Sequence, residues 1–114
     1  MTAKRLALGA AGEAQAAAWY EANGYQILAR NWRCREGEID LIVTRRRLIV
    51  FCEVKTRSTA AFGSPAEAVT PAKRTKLRQL AARWLSESSV RPAGIRFDVA
   101  AILAGELEMI EAAF

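Results

Sequence analysis

Apolar residues recur at two different periods along this 114-residue chain, and the switches between them outline its elements. Residues 8–23 are rich in alanine and are followed by Gly24, which predicts a helix with a glycine stop. Residues 25–33 then read as a first strand. From Gly37 to Arg57 two apolar, β-branched runs flank a basic connection, the pattern of an antiparallel hairpin. The helical period returns after Thr70-Pro71, a capping hydroxyl followed by proline at the first helical position, with Leu77, Leu80, Ala81, Trp84 and Leu85 as the buried stripe. Residues 95–102 predict a fourth strand, and residues 107–112 a short last one at an edge. With no repeat or second-domain boundary, residues 1–114 read as one α/β domain with a central hairpin flanked by helices.

Alternation along the first hairpin run puts Glu38, Asp40 and Ile42 on one face and Ile39, Leu41 and Val43 on the other. In the second run Phe51, Glu53, Lys55 and Arg57 oppose Leu48, Val50, Cys52 and Val54. Each strand thus has one wholly apolar face, and one that is apolar at one end and charged at the other. Pairing about a turn near Arg45 and Arg46 makes the charged ends coincide, so Asp40, Glu53 and Lys55 converge at one rim of the sheet. Two carboxylates so placed repel unless a cation lies between them, and their hard oxygens suit Mg²⁺ or Mn²⁺. Lys55 can balance that charge and reach a phosphate or an attacking water. The plain alternative is a cross-strand ion pair on a solvated face. The tip, Arg45-Arg46-Arg47, lacks the Gly or Asn of a tight two-residue turn, so a longer or looser loop is expected, either solvated or phosphate-binding.

Asp40, twelve intervening residues and then Glu53-Val54-Lys55 resemble the Asp…Glu-x-Lys signature of the restriction-endonuclease-like nucleases. The wider run Gly37-Glu38-Ile39-Asp40-Leu41-Ile42 with Glu53-Val54-Lys55-Thr56-Arg57 is similar to the bacterial YraN-like family, predicted endonucleases that resemble archaeal Holliday junction resolvases. The run Arg96-Phe97-Asp98-Val99-x-Ala101-Ile102 fits the same pattern. Gly12-Glu13-x-x-Ala16 matches the first-helix glutamate that resolvase-like nucleases turn towards the metal; a solvent-facing glutamate is the alternative. The resemblance implies a restriction-endonuclease-like core, a mixed central β-sheet flanked by helices, and metal-dependent hydrolysis of phosphodiester bonds in DNA. Asp40, Glu53 and Lys55 would then be catalytic. Asp40 and Glu53, with the Val54 carbonyl and Glu13, would hold Mg²⁺ or Mn²⁺. Cutting a symmetric junction on both strands needs two sites, which implies a homodimer.

Seventeen Lys and Arg against twelve Asp and Glu give a net charge of +5, compatible with a polyanionic partner without demonstrating one. The placement of the cations says more. Lys73, Arg74, Lys76 and Arg78 crowd the first two turns of the second helix, against its dipole, and an anion there would relieve the cost. Arg57, Lys73, Lys76 and Arg74 are therefore candidate phosphate contacts that grip nucleic acid without reading sequence. A basic solvated helix face is the alternative. Arg30, Arg33 and Arg35 around Trp32 suit either a nucleic-acid surface or a strand edge protected by charge. Asp98 shares a face with Arg96 and reads as structural. Residues 58–65 are expected to form a mobile loop whose Phe62 either anchors it to the core, the commoner fate of a lone loop aromatic, or contacts a base.

The chain has no histidine, which excludes Ser-His-Asp and Cys-His catalysis and His-ligated zinc. Its two cysteines, Cys34 and Cys52, lack Cys-x-x-Cys spacing, and Cys52 points to the core, so no disulfide is expected. The basic, alanine-rich start is interrupted by Glu13 and Gln15, and no stretch reaches transmembrane length, so the expectation is a cytoplasmic protein without a membrane partner. A non-catalytic nucleic-acid-binding module of the same fold is the alternative to a nuclease. Its difficulty is that converging acids repel phosphate when no metal is bound.

Overall fold

The structure, a computed structural model, describes residues 3–59 and 69–114, with side chains from Leu8 onward. The expected loop at 58–65 and its Phe62 lie largely or wholly outside the described residues. The elements run α1 (Ala3–Ala22), β1 (Gln26–Cys34), β2 (Gly37–Arg45), β3 (Leu48–Arg57), α2 (Pro71–Glu87), β4 (Gly94–Leu103) and β5 (Glu106–Ile110). They form a five-stranded mixed sheet in the order β1-β2-β3-β4-β5, in which only β3 and β4 run parallel. Parallel neighbours need a crossover, and α2 lies within it.

Each helix covers one face of the sheet. Gly12, Ala16 and Tyr20 recur every fourth position of α1, and Ala16, Ala17 and Tyr20 pack on Leu41, Val43, Val50, Cys52 and Ala100. The small residues let the helix lie close: a Cβ on Gly12 would collide with the Thr56 hydroxyl and come within 3.1 Å of Ile102. Gly24, left-handed at φ 85°, ends α1 and lets the Tyr25 N–H reach the Tyr20 carbonyl at 2.9 Å. On the other face Leu77, Leu80 and Ala81 of α2 meet Ile39, Ile42, Ile49 and Phe51. Thr70 caps this helix by accepting from the Lys73 N–H, with Pro71 at the first position as expected.

The expected alternation holds in β3 but breaks in β2. Leu41 and Val43 lie under α1, yet Ile39 joins Ile42 under α2, so the strand changes hand between Ile39 and Leu41. The β2–β3 ladder ends there, at Leu41 opposite Cys52. Asp40 therefore sits one step beyond the last pair between β2 and β3.

The hairpin tip is also tighter than expected. Arg45 pairs with Leu48, and the two residues between them, Arg46 and Arg47, are both left-handed at φ 51° and 67°. Such a turn matches the right-handed twist of the strands, and the strand pairing imposes it despite a cost of about 1–2 kcal/mol for each non-glycine residue. Neighbours hold it in place. Arg45 donates to the Asn23 carbonyl at 2.8 Å and stacks on Tyr25, while the Arg47 carbonyl accepts from the Ala93 N–H at 2.8 Å.

Asp98 is structural, as its pairing with Arg96 implied. Fully buried, it takes two 2.8 Å bonds from Arg96, one of 2.7 Å from the Tyr20 hydroxyl and one of 3.0 Å from the Ala112 N–H. This carboxylate ties α1, β4 and the end of the chain together. Cys52 is buried and Cys34 half-buried, both as free thiols. No helix among the described residues is long and apolar enough to cross a membrane.

Candidate functional site

The break in β2 turns the Asp40 carboxylate across the end of the hairpin, where its Oδ2 accepts from the Val54 N–H at 2.8 Å. Glu53 and Lys55 alternate on β3 with Phe51, so they project on the α2 side just past the apolar core. Lys55 Nζ lies 3.3 Å from Glu53 Oε1, and both side chains are about one-fifth exposed. The predicted convergence of Asp40, Glu53 and Lys55 is thus present.

The electrostatics of this rim are unfavourable as they stand. Burial first, and then the charge of Glu53, pushes Asp40 from its ordinary 3.8 up to about 7; Glu13 and Glu38 add to the push, and the Val54 N–H opposes it. A parallel conflict exists among the cations. Lys73, exposed on the first turn of α2, has its ammonium held below its usual range chiefly by the neighbouring Lys55, with Arg57 adding to the effect and Glu53 opposing it. Two carboxylates and two ammonium groups, each pair self-repelling, thus act on one another at this rim.

Glu13 is half-buried beside this rim rather than on the outer face of α1. With Arg33, Glu38, Lys55 and Arg57 it lines a groove of about 950 Å³. Arg57 is half-buried there and bonds the Thr56 carbonyl. Arg33 and Glu38 stand opposite each other on β1 and β2 and are joined by an ion pair; Arg33 was a candidate nucleic-acid contact beside Trp32, whereas Glu38 is a member of the groove that sequence reading did not single out. Its signal was the pairing of the strands: Glu38 stands two residues before Asp40, and Arg33 is its cross-strand neighbour. Arg74 donates to the Val69 carbonyl at 3.2 Å and lies over the Phe114 ring, and Lys76 is exposed.

Among the described residues no group of three acidic, cysteine or histidine side chains is gathered tightly enough to hold a metal ion. The donor set that fits a divalent cation is the pair Asp40 and Glu53. Both supply hard oxygens, their mutual repulsion is relieved by a cation, and Glu13 acts on Asp40 through its charge.

The sequence also has relatives. A family model described as Uncharacterised protein family UPF0102 matches residues 12–102, a span from the first-helix Gly12 to the end of the β4 core. The chain is 52% identical over 97 residues to a UPF0102 protein of Beutenbergia cavernae, covering 85% of this chain and 82% of that one. It is 55% identical over 93 residues to one of Frankia alni, covering 82% and 78%. A Mycolicibacterium vanbaalenii relative is 44% identical over 110 residues, 96% of this chain and 91% of its own.

Proposed function

We propose a function from the chain's own residues, since the chain belongs to the uncharacterised protein family UPF0102: it is a metal-dependent endonuclease with a restriction-endonuclease-like core that hydrolyses phosphodiester bonds in DNA. The observation that carries the reading is the meeting of two self-repelling pairs, Asp40 with Glu53 and Lys55 with Lys73. A divalent cation relieves the first pair and a phosphate the second, and phosphodiester hydrolysis brings the two ligands to one place. A plain surface ion pair would account for Lys55 and Glu53, but not for a second carboxylate, Asp40, held at a raised pKa beside them.

Asp40 and Glu53 would hold Mg²⁺ or Mn²⁺. Bound there, the ion supplies a more acidic water and offsets the charge that develops on the phosphate. The Val54 N–H fixes the Asp40 carboxylate in one orientation by its 2.8 Å bond. Lys55, steered by Glu53, is within reach of an attacking water or a phosphate oxygen, and Lys73 approaches the same point from α2. Arg57 and Arg33 line the adjoining groove, suited to neighbouring phosphates of the same strand.

The test is incubation of the protein with labelled duplex, single-stranded, flapped and four-way-junction DNAs, in Mn²⁺ or in chelator, alongside Asp40→Asn. Metal-dependent cutting that disappears in the variant, while DNA binding is kept or tightened, is the expected result. Binding without cutting in any metal would instead make the protein a nucleic-acid-binding module.

A further inference from the structure

We propose that the tip of the β2–β3 hairpin is a second phosphate site, which takes a backbone phosphate of the same nucleic acid at the end of the strands opposite the carboxylate rim. The partner rests on the nuclease reading above; the site rests on the tip itself. Arg45, Arg46 and Arg47, with Asn23, Gln26 and Thr44, line an open recess of about 710 Å³ whose lining has no carboxylate among the described residues. Among the described residues, none of the three guanidinium groups is paired with an acid.

Two of the three are held in place by the fold and keep donors to spare. Arg45 donates once to the Asn23 carbonyl and stacks on Tyr25, and Arg47 donates once to the Arg91 carbonyl at 3.1 Å. A guanidinium has five N–H donors in a planar fork, which suits the oxygens of a phosphate. Arg46 is exposed and has no such bond among the described residues. It nevertheless occupies a left-handed position, φ 51°, where asparagine or glycine would be comfortable. A structurally idle cation kept in a strained conformation, between two fixed ones, is accounted for if it contacts a ligand. The recess is open and sits on a projecting turn, which admits a polymer as readily as a free ion.

The two sites stand in a fixed relation. Glu53 and Arg47 are six residues apart along β3 and its turn, so about 20 Å separates them at the usual rise of a strand. Phosphates of one DNA strand advance by about 3.4 Å along the helix axis, so a bridging ligand needs roughly six nucleotides between its two contacts.

The experiment measures binding by fluorescence anisotropy in chelator, so that it is independent of cutting, over a series of salt concentrations. Arg46→Asn keeps a residue suited to the turn and removes one cation; Arg46→Lys keeps the charge. One lost phosphate contact removes a salt-dependent factor of about eightfold at 0.1 M salt. Arg46→Asn is therefore expected to bind a duplex of about 20 base pairs roughly eightfold more weakly, with the log–log salt slope reduced by about 0.9, at an unchanged or higher melting temperature. Arg46→Lys should retain most of the affinity. Equal affinity and equal slope in wild type and Arg46→Asn would overturn the second site, even if the wild type cuts DNA. A tip-dependent affinity without cutting in any metal would keep the site and remove the nuclease.

Discussion

Replacing Asp40 by asparagine tests the site by its effect on folding, without any substrate. In the folded protein the carboxyl titrates at about 7 rather than at 3.8, because it is buried beside Glu53. Between those two values the folded chain holds a proton that the unfolded chain has released, so stability falls as pH rises through this window. About 3 pH units at about 1.4 kcal/mol each set a ceiling near 4 kcal/mol, which is missing above pH 7. Water at the half-buried rim screens part of it, leaving roughly 1–3 kcal/mol. Asparagine is neutral at every pH and can still accept from the Val54 N–H. Urea denaturation in chelator should therefore find the variant close to the wild type near pH 4.5 and more stable by roughly 1–3 kcal/mol near pH 8. Added Mn²⁺ should stabilise the wild type and not the variant, since a ligand stabilises only the state that binds it. A variant less stable than the wild type at pH 8, or a difference that does not change with pH, would show that the two carboxylates do not oppose each other in the fold.

Other substitutions address the surroundings of the rim. Lys73→Ala combined with Lys76→Ala should weaken DNA binding and lower the salt slope by up to about 1.8, read by the same anisotropy titration. If Lys73 alone faces the substrate, its single variant accounts for most of the loss. Asp98→Ala should destabilise by about 3–5 kcal/mol in denaturant, because Arg96 is left without its buried partner, whereas Tyr20→Phe should cost only about 1.5–3 kcal/mol for one bond to a charged group.

The rim was legible because it obeys the simplest rule of a strand. Apolar runs that become charged at matching ends must place those ends together once the hairpin closes, and Asp40, Glu53 and Lys55 follow. The change of hand between Ile39 and Leu41 was not legible, since both residues are apolar and either face of this sheet is covered by a helix. Glu13 stayed open for a related reason. In a helix where alanine occupies buried and exposed positions alike, composition gives no contrast between faces, and only the close approach of Gly12 to Thr56 decides the matter. At the tip, local preference argued for a looser loop, but the pairing of Arg45 with Leu48 overrode it. Arg74 counted as a free cation until the fold brought Phe114, forty residues further on, beneath it. Contacts of that range leave no mark in a local pattern.

The two outer strands govern what this sheet can do beyond its own boundary. A sheet edge with a flat, regular row of N–H and C=O groups is a template on which other chains can add and aggregate. Here β1 is broken by a register shift between Ile27 and Ala29, and by Asn31 in the left-handed region at φ 49°. At the far edge β5 is only five residues long and carries Glu106 and Glu108. One edge is bent out of register and the other is short and acidic, so the apolar strands between them are kept from becoming the seed of a fibril.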